Sequence, residues 1–118
     1  MTKIFAHRGA SAYAPENTME AFELAAKQGA DGIELDVHVT KDGEVVVTHD
    51  EKIERVSNGS GFVKDMTLRE LKRLSFHNHM ESYVGAGIPT LSEVLEFVKT
   101  TTMAVNIELK TGLYWYPN

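Results

Sequence analysis

Short apolar segments typical of strands alternate along this chain with segments that carry the signals of amphipathic helices. Strands are predicted at residues 3–6, 32–39 and 103–109, the first of them buried, and helices are predicted to begin near residues 17, 67 and 90. The order strand, helix, strand is typical of right-handed βαβ units around a parallel sheet. The chain is therefore predicted to have an α/β fold.

The predicted helix starts depend on residues that can cap the free amides of a first turn. Asn17, Thr67 and Thr90 are each followed three positions later by a glutamate. For the two threonines this spacing is the pattern of a capping box. For Asn17 it predicts a helix N-cap, since asparagine is among the preferred capping residues.

A hairpin is predicted to follow the second strand. Asp42-Gly43 lies between the strand at residues 32–39 and a further strand-like segment at residues 44–48. An Asp-Gly pair between such segments is a strong signal for a tight antiparallel turn. The next segment, residues 51–64, has turn-forming residues and no sustained period, which predicts an irregular loop.

Charged pairs are placed at i and i+2 within two of the predicted strands. Glu34 and Asp36 form one pair, and Glu108 and Lys110 form the other. Side chains two positions apart on a strand point to the same face of a sheet. Two carboxylates on one face repel each other unless a cation or hydrogen-bond donors lie between them. The pattern indicates a site for a hard divalent cation, Mg²⁺ or Ca²⁺, and the alternative is a solvated or salt-bridged strand edge.

Two histidines follow predicted strands, His7 before Arg8 and His49 before Asp50. In α/β sheets ligands collect at the carboxyl ends of the strands, and imidazoles move protons near neutral pH. Together with the carboxylates they predict metal-assisted phosphoryl transfer. The alternative for either histidine alone is a structural role.

Length and composition limit the protein classes that need to be considered. A length of 118 residues suits one domain. The formal net charge of -5 argues against a nucleic-acid partner. The chain has no cysteine, so a metal would be bound by oxygen or imidazole. No apolar stretch is long enough to be an integral membrane segment, and with Met1 taken as the native start a cytoplasmic location is expected.

The motifs in their order resemble the glycerophosphodiester phosphodiesterase family. The matching segments are His7-Arg8-Gly9, Pro15-Glu16-Asn17-Thr18, Glu34-Leu35-Asp36-Val37, Thr48-His49-Asp50, Ile88-Pro89-Thr90-Leu91 and Asn106-Ile107-Glu108-Leu109-Lys110. The resemblance implies a TIM (β/α)8 barrel with an inserted segment after the second strand, here roughly residues 49–87. It also implies a divalent cation and hydrolysis of small-molecule glycerophosphodiesters, such as glycerophosphocholine or glycerophosphoethanolamine, to glycerol 3-phosphate and an alcohol.

The resemblance also implies roles for seven residues. It implies metal ligands at Glu34, Asp36 and Glu108, an acid/base pair at His7 and His49, and phosphate-holding groups at Arg8 and Lys110. For Arg8 and Lys110, neutralisation of the carboxylates is an alternative role that is compatible with phosphate binding.

The chain is shorter than the family's barrel, which takes about 250 residues. Residues 1–118 are therefore expected to form a partial, N-terminal portion with about three barrel strands plus the inserted segment. The outer strands are expected to leave unpaired sheet edges, through which a homo-oligomer could form. Two alternative functions remain: a catalytically silent half-barrel that folds on association, and a phospholipase of related barrel type.

Three further features have weaker functional interpretations. His38 lies on the Glu34/Asp36 face of its strand and is expected to be structural or to support the site. Glu16 is a candidate for a similar supporting role. His77-Asn78-His79 is rejected as a primary metal site because no partner ligands stand at usable spacing.

Overall fold

The computed structural model describes residues 3–109. The strands are β1 (Phe5–His7), β2 (Gly32–Val39), β3 (Val45–Val47) and β4 (Ala104–Leu109). The helices are α1 (Met19–Lys27), α2 (Leu68–Lys72) and α3 (Leu91–Val98), with short 3-10 turns at Val63–Asp65 and Glu81–Tyr83. The predicted α/β order is confirmed. Lys110 and the residues after it lie outside the described part of the chain.

The central strand is β2, and the other three strands pair with it. β1 pairs in parallel with residues 32–34 of β2, β4 pairs in parallel with residues 32–37, and β3 pairs antiparallel with residues 37–39. Since β1 and β4 share residues 32–34, and β3 and β4 share residue 37, β1 and β3 lie on one side of β2 and β4 lies on the other. The predicted hairpin is confirmed, and β3 continues the sheet edge beyond the end of β1.

One face of β2 builds the main hydrophobic core. Ile33, Leu35 and Val37 are buried there, and they belong to the same cluster as Phe22 of α1 and Val94 of α3. Burial of apolar surface contributes roughly 25 cal/mol per Å² to folding, so these contacts hold the helices against the sheet.

The opposite face of β2 carries Glu34, Asp36 and His38, and all three are buried. Burying charged groups is unfavourable unless they are paired or bind a metal. This polar face is therefore the part of the fold where a functional site is expected.

The helix starts agree with the sequence patterns at two positions and differ at one. Thr67 and Thr90 form complete capping boxes with Glu70 and Glu93, as predicted. The predicted cap at Asn17 is wrong, because Thr18 is the N-cap of α1 and its side chain accepts a hydrogen bond from the amide of Ala21.

Residues 49–87, the expected inserted segment, contain a small hydrophobic cluster of their own. Its buried members include Ile53, Leu71 and Phe76, and they pack with Val46 of β3 and with Ile88. Residues 51–64 are irregular, as predicted, apart from the 3-10 turn and an isolated bridge between Lys52 and Phe62. The segment is therefore fastened to the hairpin by side-chain packing.

The first strand differs from its prediction. It spans Phe5–His7 rather than residues 3–6, and it is not buried, since Ile4 is 67% exposed and Phe5 is 41% exposed. Within residues 3–109, β1 and β4 pair only with β2, so the outer edge of each strand lacks a neighbour. In the same part of the chain, no helix combines the length and apolarity needed to cross a bilayer.

Candidate functional site

Three carboxylates converge on the polar face of the sheet. Asp36 and Glu108 are direct partners in the parallel pairing of β2 with β4, and Glu34 precedes Asp36 by two residues on the same face. One ligand oxygen from each of the three lies within 4.8 Å of the others. Parallel register alone therefore brings together side chains that are far apart in sequence.

Glu34 shows the electrostatic strain of this arrangement. Burial, a hydrogen bond shared with Glu108 and the negative charge of Asp36 raise the pKa of Glu34 to about 7. Its Oε2 atom is buried and has no hydrogen-bond partner among the described residues. A buried carboxylate oxygen of this kind is stabilised by a proton or by a cation, so the three residues fit a hard divalent cation such as Mg²⁺ or Ca²⁺.

Asn17 supports the carboxylates from the loop before α1. Its side-chain amide donates a hydrogen bond to Oδ2 of Asp36 at 3.0 Å, and Asn17 is itself buried. The residue has a φ of 57°, in the left-handed region that asparagine tolerates better than most residues. The spacing that predicts a helix cap at Asn17 gives no sign of this contact.

Arg8 contacts both carboxylates of β2. Its backbone amide donates to Oε1 of Glu34 at 3.2 Å, and its guanidinium Nε lies 3.4 Å from Oδ2 of Asp36. Neutralisation of the carboxylates, the alternative role given to Arg8, is therefore part of its structural role. Lys110, its predicted counterpart, lies outside the described residues.

His7 ends β1 opposite Glu34. The two residues are register partners, and Nε2 of His7 lies 3.6 Å from Oε1 of Glu34. The imidazole is 68% exposed, which leaves it accessible to a bound substrate. Its predicted position beside the carboxylates is observed.

His49 reaches the same region by a different route. The expectation that candidate groups stand at the carboxyl ends of parallel strands does not hold for it, because β3 is antiparallel to β2. The hairpin instead brings the chain back along β2 until the amide of Thr48 donates to the carbonyl of Asp36 at 2.9 Å. His49 follows directly.

His49 is held through its backbone and its ring. Nε2 of the buried His38 donates to the backbone carbonyl of His49 at 2.9 Å. Nδ1 of His49 lies 2.6 Å from Oδ1 of Asp50. Hydrogen bonds from Arg55 lower the pKa of Asp50 to about 2 against the effect of burial, so near neutral pH the carboxylate accepts and Nδ1 carries the proton.

Arg55 and Glu16 join the two halves of the site. Arg55 contacts Asp50 on one side and both carboxylate oxygens of Glu16 on the other, and Glu16 also lies 3.2 Å from Nη1 of Arg8. Although burial opposes it, the hydrogen bond and charge of Arg55 hold the pKa of Glu16 below its usual value. Arg55 was missed from the sequence, because a charged residue in an irregular loop gives no local signal of its partner.

The histidines of the inserted segment do not join this site. Asn78 and His79 both have positive φ values, and Nδ1 of His77 lies 2.7 Å from Oγ of Ser75. Within residues 3–109 the group of side chains suited to a metal is the carboxylate cluster alone.

The fold and the site define a class of protein: an α/β sheet of three parallel strands and one antiparallel strand, with a carboxylate cluster that could hold a cation and imidazoles beside it. The model of the glycerophosphoryl diester phosphodiesterase family matches residues 7–116, and the chain belongs to this family. The six described site residues that the resemblance implied all lie on the sheet or at its edge.

Curated relatives and solved structures agree with this assignment. The chain is 52% identical over 117 residues to a glycerophosphodiester phosphodiesterase from Caldanaerobacter subterraneus subsp. tengcongensis, covering 98% of the chain and 48% of the relative. It is 55% identical over 119 residues to one from Bacillus altitudinis, covering 99% and 49%. The chain thus spans about half the length of the curated relatives it matches.

Two solved structures show the same relationship. The glycerophosphodiester phosphodiesterase from Agrobacterium tumefaciens str. C58 matches with a TM-score of 0.88 and 44% identity, covering 92% of this chain and 47% of that one. The Oleispira antarctica phosphodiesterase in complex with the product sn-glycerol-3-phosphate matches with a TM-score of 0.89 and 38% identity, covering 93% and 45%. The fold is therefore a portion of the TIM barrel of this family.

Proposed function

We propose that this chain carries the metal-binding and proton-transfer groups of a glycerophosphodiester phosphodiesterase. The reaction is hydrolysis of a glycerophosphodiester, such as glycerophosphocholine or glycerophosphoethanolamine, to glycerol 3-phosphate and an alcohol. The observation that supports it best is the convergence of Glu34, Asp36 and Glu108 on one sheet face. The Oleispira antarctica phosphodiesterase was solved in complex with the product sn-glycerol-3-phosphate, and this supports the substrate class.

The proposed cation ligands are the three carboxylates. When bound, a divalent cation withdraws electron density from a phosphoryl oxygen and favours attack at phosphorus. The raised pKa of Glu34 and its buried Oε2 atom fit this role, since a cation replaces the proton that otherwise stabilises the carboxylate.

Proton transfer is assigned to His7 and His49. One imidazole takes a proton from the nucleophile, either water or the neighbouring hydroxyl of the substrate, while a new P–O bond forms. The other gives a proton to the alkoxide as its P–O bond breaks, so the alcohol leaves neutral. If the hydroxyl of the substrate is the nucleophile, this step forms a cyclic phosphate, and water then opens the ring to give glycerol 3-phosphate. Support comes from the accessible ring of His7 and from the backbone and ring contacts that orient His49.

The phosphate is assigned to Arg8 and Lys110. Negative charge on the phosphoryl oxygens increases towards the transition state, and guanidinium and ammonium groups stabilise it by charge-assisted hydrogen bonds. Support for Arg8 is its place beside Asp36, where its guanidinium is only partly exposed and is already oriented by carboxylates.

A second candidate function is cation and phosphate binding without turnover. It is favoured by the exposed apolar residues on the outer strands, including Phe5 of β1 and Leu109 of β4, which is 55% exposed. In this case the half-barrel needs association to complete its fold. The related phospholipase alternative requires intact lipid as substrate, and the named relatives are phosphodiesterases of glycerophosphodiesters instead.

The test is release of glycerol 3-phosphate from glycerophosphocholine and from glycerophosphoethanolamine by the purified chain. Mg²⁺, Ca²⁺ or chelator is added, and protein concentration is varied. Turnover that chelator removes supports the proposal, provided that His49→Gln abolishes it and the surface variant Glu23→Gln does not. Cation binding without turnover at any concentration supports the silent half-barrel and overturns the catalytic proposal for this chain.

A further inference from the structure

Arg55 makes a double contact that connects two otherwise separate parts of the site. Nε and Nη2 donate to Oδ2 and Oδ1 of Asp50 at 2.9 and 3.1 Å. Nη1 and Nη2 donate to Oε1 and Oε2 of Glu16 at 2.8 and 2.9 Å. One guanidinium therefore binds two carboxylates through two forked pairs.

This geometry requires arginine. A guanidinium is planar and presents five N–H donors in a fixed fork, whereas the ammonium of lysine is a single point charge. Isolated surface ion pairs contribute little to folding stability, but forked arginine–carboxylate pairs and networks of several charges can contribute more. Arg55 is 45% exposed and takes part in both, which distinguishes it from an ordinary surface arginine.

The two carboxylates held by Arg55 each position a different group of the site. Oδ1 of Asp50 lies 2.6 Å from Nδ1 of His49 and sets which ring nitrogen carries the hydrogen. Oε2 of Glu16 lies 3.2 Å from Nη1 of Arg8, whose Nε lies beside Asp36. A displacement of Arg55 would therefore change the position of both the His49 imidazole and the Arg8 guanidinium.

We propose that Arg55 is a positioning residue, which fixes the orientation and tautomer of His49 through Asp50 and holds the guanidinium of Arg8 through Glu16. It contacts no reacting atom in this role. The proposal rests on the proposed function for its effect on turnover, while its structural part, the positions of His49 and Arg8, does not depend on turnover. The inserted segment is thereby part of the site's support.

The experiment compares Arg55→Lys with the wild-type chain and with Arg69→Lys. Arg69 is an exposed arginine of α2 in the same inserted segment, so its replacement controls for the change of residue type. The tautomer of His49 is read from the ¹⁵N shifts of its ring nitrogens at about pH 8.5, well above the ordinary histidine pKa of about 6.5. The His49→Gln spectrum assigns the signal.

In the wild-type chain and in Arg69→Lys, the hydrogen of neutral His49 is expected on Nδ1. In Arg55→Lys the ratio of the Nδ1–H to the Nε2–H form is expected to fall about tenfold, as for loss of a charge-assisted hydrogen bond. If Arg55→Lys does not fold, Arg55→Gln takes its place. A wild-type hydrogen on Nε2, or an unchanged ratio in the Arg55 variant, overturns the proposal.

Turnover gives the second readout. With cation present, Arg55→Lys is expected to lower kcat for glycerophosphocholine by at least about tenfold, and to change KM far less, because proton transfer is disturbed more than substrate contact. Equal kcat in the two lysine variants overturns the catalytic part. If the wild-type chain has no turnover, the proposed function fails by itself, and the tautomer measurement still decides the role of Arg55.

Discussion

The buried side chain of Asn17 donates a hydrogen bond to Oδ2 of the buried Asp36 at 3.0 Å. The contact joins the loop before α1 to the carboxylate face of β2. An amide hydrogen is a suitable partner for a carboxylate, because it stabilises the negative charge without adding another titratable group. The start of α1 and the carboxylate cluster are therefore linked, and a change at Asn17 is expected to affect both.

Replacing Asn17 with aspartate is expected to destabilise the cation-free chain by about 2 kcal/mol at pH 8. The size and shape of the side chain are nearly unchanged, but a donor becomes a second negative charge against Asp36. The thermal unfolding midpoint measures the effect, and added Mg²⁺ should recover part of the loss. Asn78→Asp is the control, since Asn78 also has a positive φ and lies in the inserted segment. Equal stability of the two variants would contradict the importance of the Asn17 contact.

Replacing Glu34 with glutamine is expected to weaken Mg²⁺ binding at least about tenfold. One of three anionic ligands is lost, and the remaining amide is a poorer ligand for a hard cation. The same change should raise the unfolding midpoint of the cation-free chain at pH 8, since it removes a repelling charge. Calorimetric titration and thermal unfolding measure the two effects. Glu23→Gln, on the exposed side of α1, should change neither, and equal Mg²⁺ affinity in both variants would exclude Glu34 as a ligand.

The cation-free chain is expected to lose stability as pH rises from about 4.5 to about 7. Burial, Glu108 and Asp36 raise the folded-state pKa of Glu34 to about 7, above its ordinary value of 4.5. Between these values the folded chain binds more protons than the unfolded chain, so the free energy of unfolding falls with rising pH. Mg²⁺ competes with this proton, and its affinity should rise about tenfold per pH unit below 7 and level off above it.

The pH series is measured on the wild-type chain and on Glu34→Gln, because other groups also titrate in this range. The difference in unfolding midpoint between the two proteins isolates Glu34. A difference that is constant from pH 4.5 to pH 8 would show that Glu34 has an ordinary pKa.

Replacing His49 with glutamine is expected to leave Mg²⁺ affinity within about twofold and to reduce turnover by roughly 100- to 10,000-fold, the usual contribution of a general acid or base. The imidazole contacts Asp50 rather than the carboxylate cluster, so metal binding should persist. Glycerol 3-phosphate release and calorimetric titration provide the measurements. His79→Asn in the inserted segment is the control, and full activity in His49→Gln would remove His49 from the mechanism.

Replacing Gly9 with alanine is expected to destabilise the chain by about 2 kcal/mol more than the same change at Gly43. Both glycines have left-handed φ values, +79° and +84°, which an alanine adopts at a cost. A Cβ at Gly9 would lie 2.8 Å from the backbone carbon of Ala21 in α1, while Gly43 has nothing within 4 Å. The difference in unfolding midpoints isolates the clash, which adds overpacking strain at Gly9. Equal losses of stability in the two variants would show that α1 accommodates the new Cβ without a cost in free energy.

The central strand and two of the helix starts follow from local sequence patterns. Gly32–Val39 has the predicted bounds of β2, and Thr67 and Thr90 cap helices as predicted. These features depend on neighbours within a few positions, so a single sequence contains the needed information. The convergence of Glu34 and Asp36 also follows from the two-residue repeat of a strand.

Asn17 and Arg55 show where local reasoning fails. By the capping pattern Asn17 should begin α1, but its side chain is already bonded to Asp36, 19 positions away, so Thr18 takes the cap. The contact of Arg55 with Glu16 spans 39 positions. Neither contact is signalled by a pattern in the neighbouring sequence. Both are seen only when the loops are placed around the folded sheet.

β2 places the proposed cation ligands and the support of His49 under a single constraint of register. Glu34, Asp36 and His38 alternate with Ile33, Leu35 and Val37, and the two sets face opposite sides of the strand. Loss or gain of one residue ahead of Glu34 would exchange the two sets, turning carboxylates towards the helices and aliphatic groups towards the proposed cation site. All of the site's functions on this strand would be lost in one step. Changes of chain length after Arg55, in the later loops of residues 49–87, would instead leave the alternation of β2 intact.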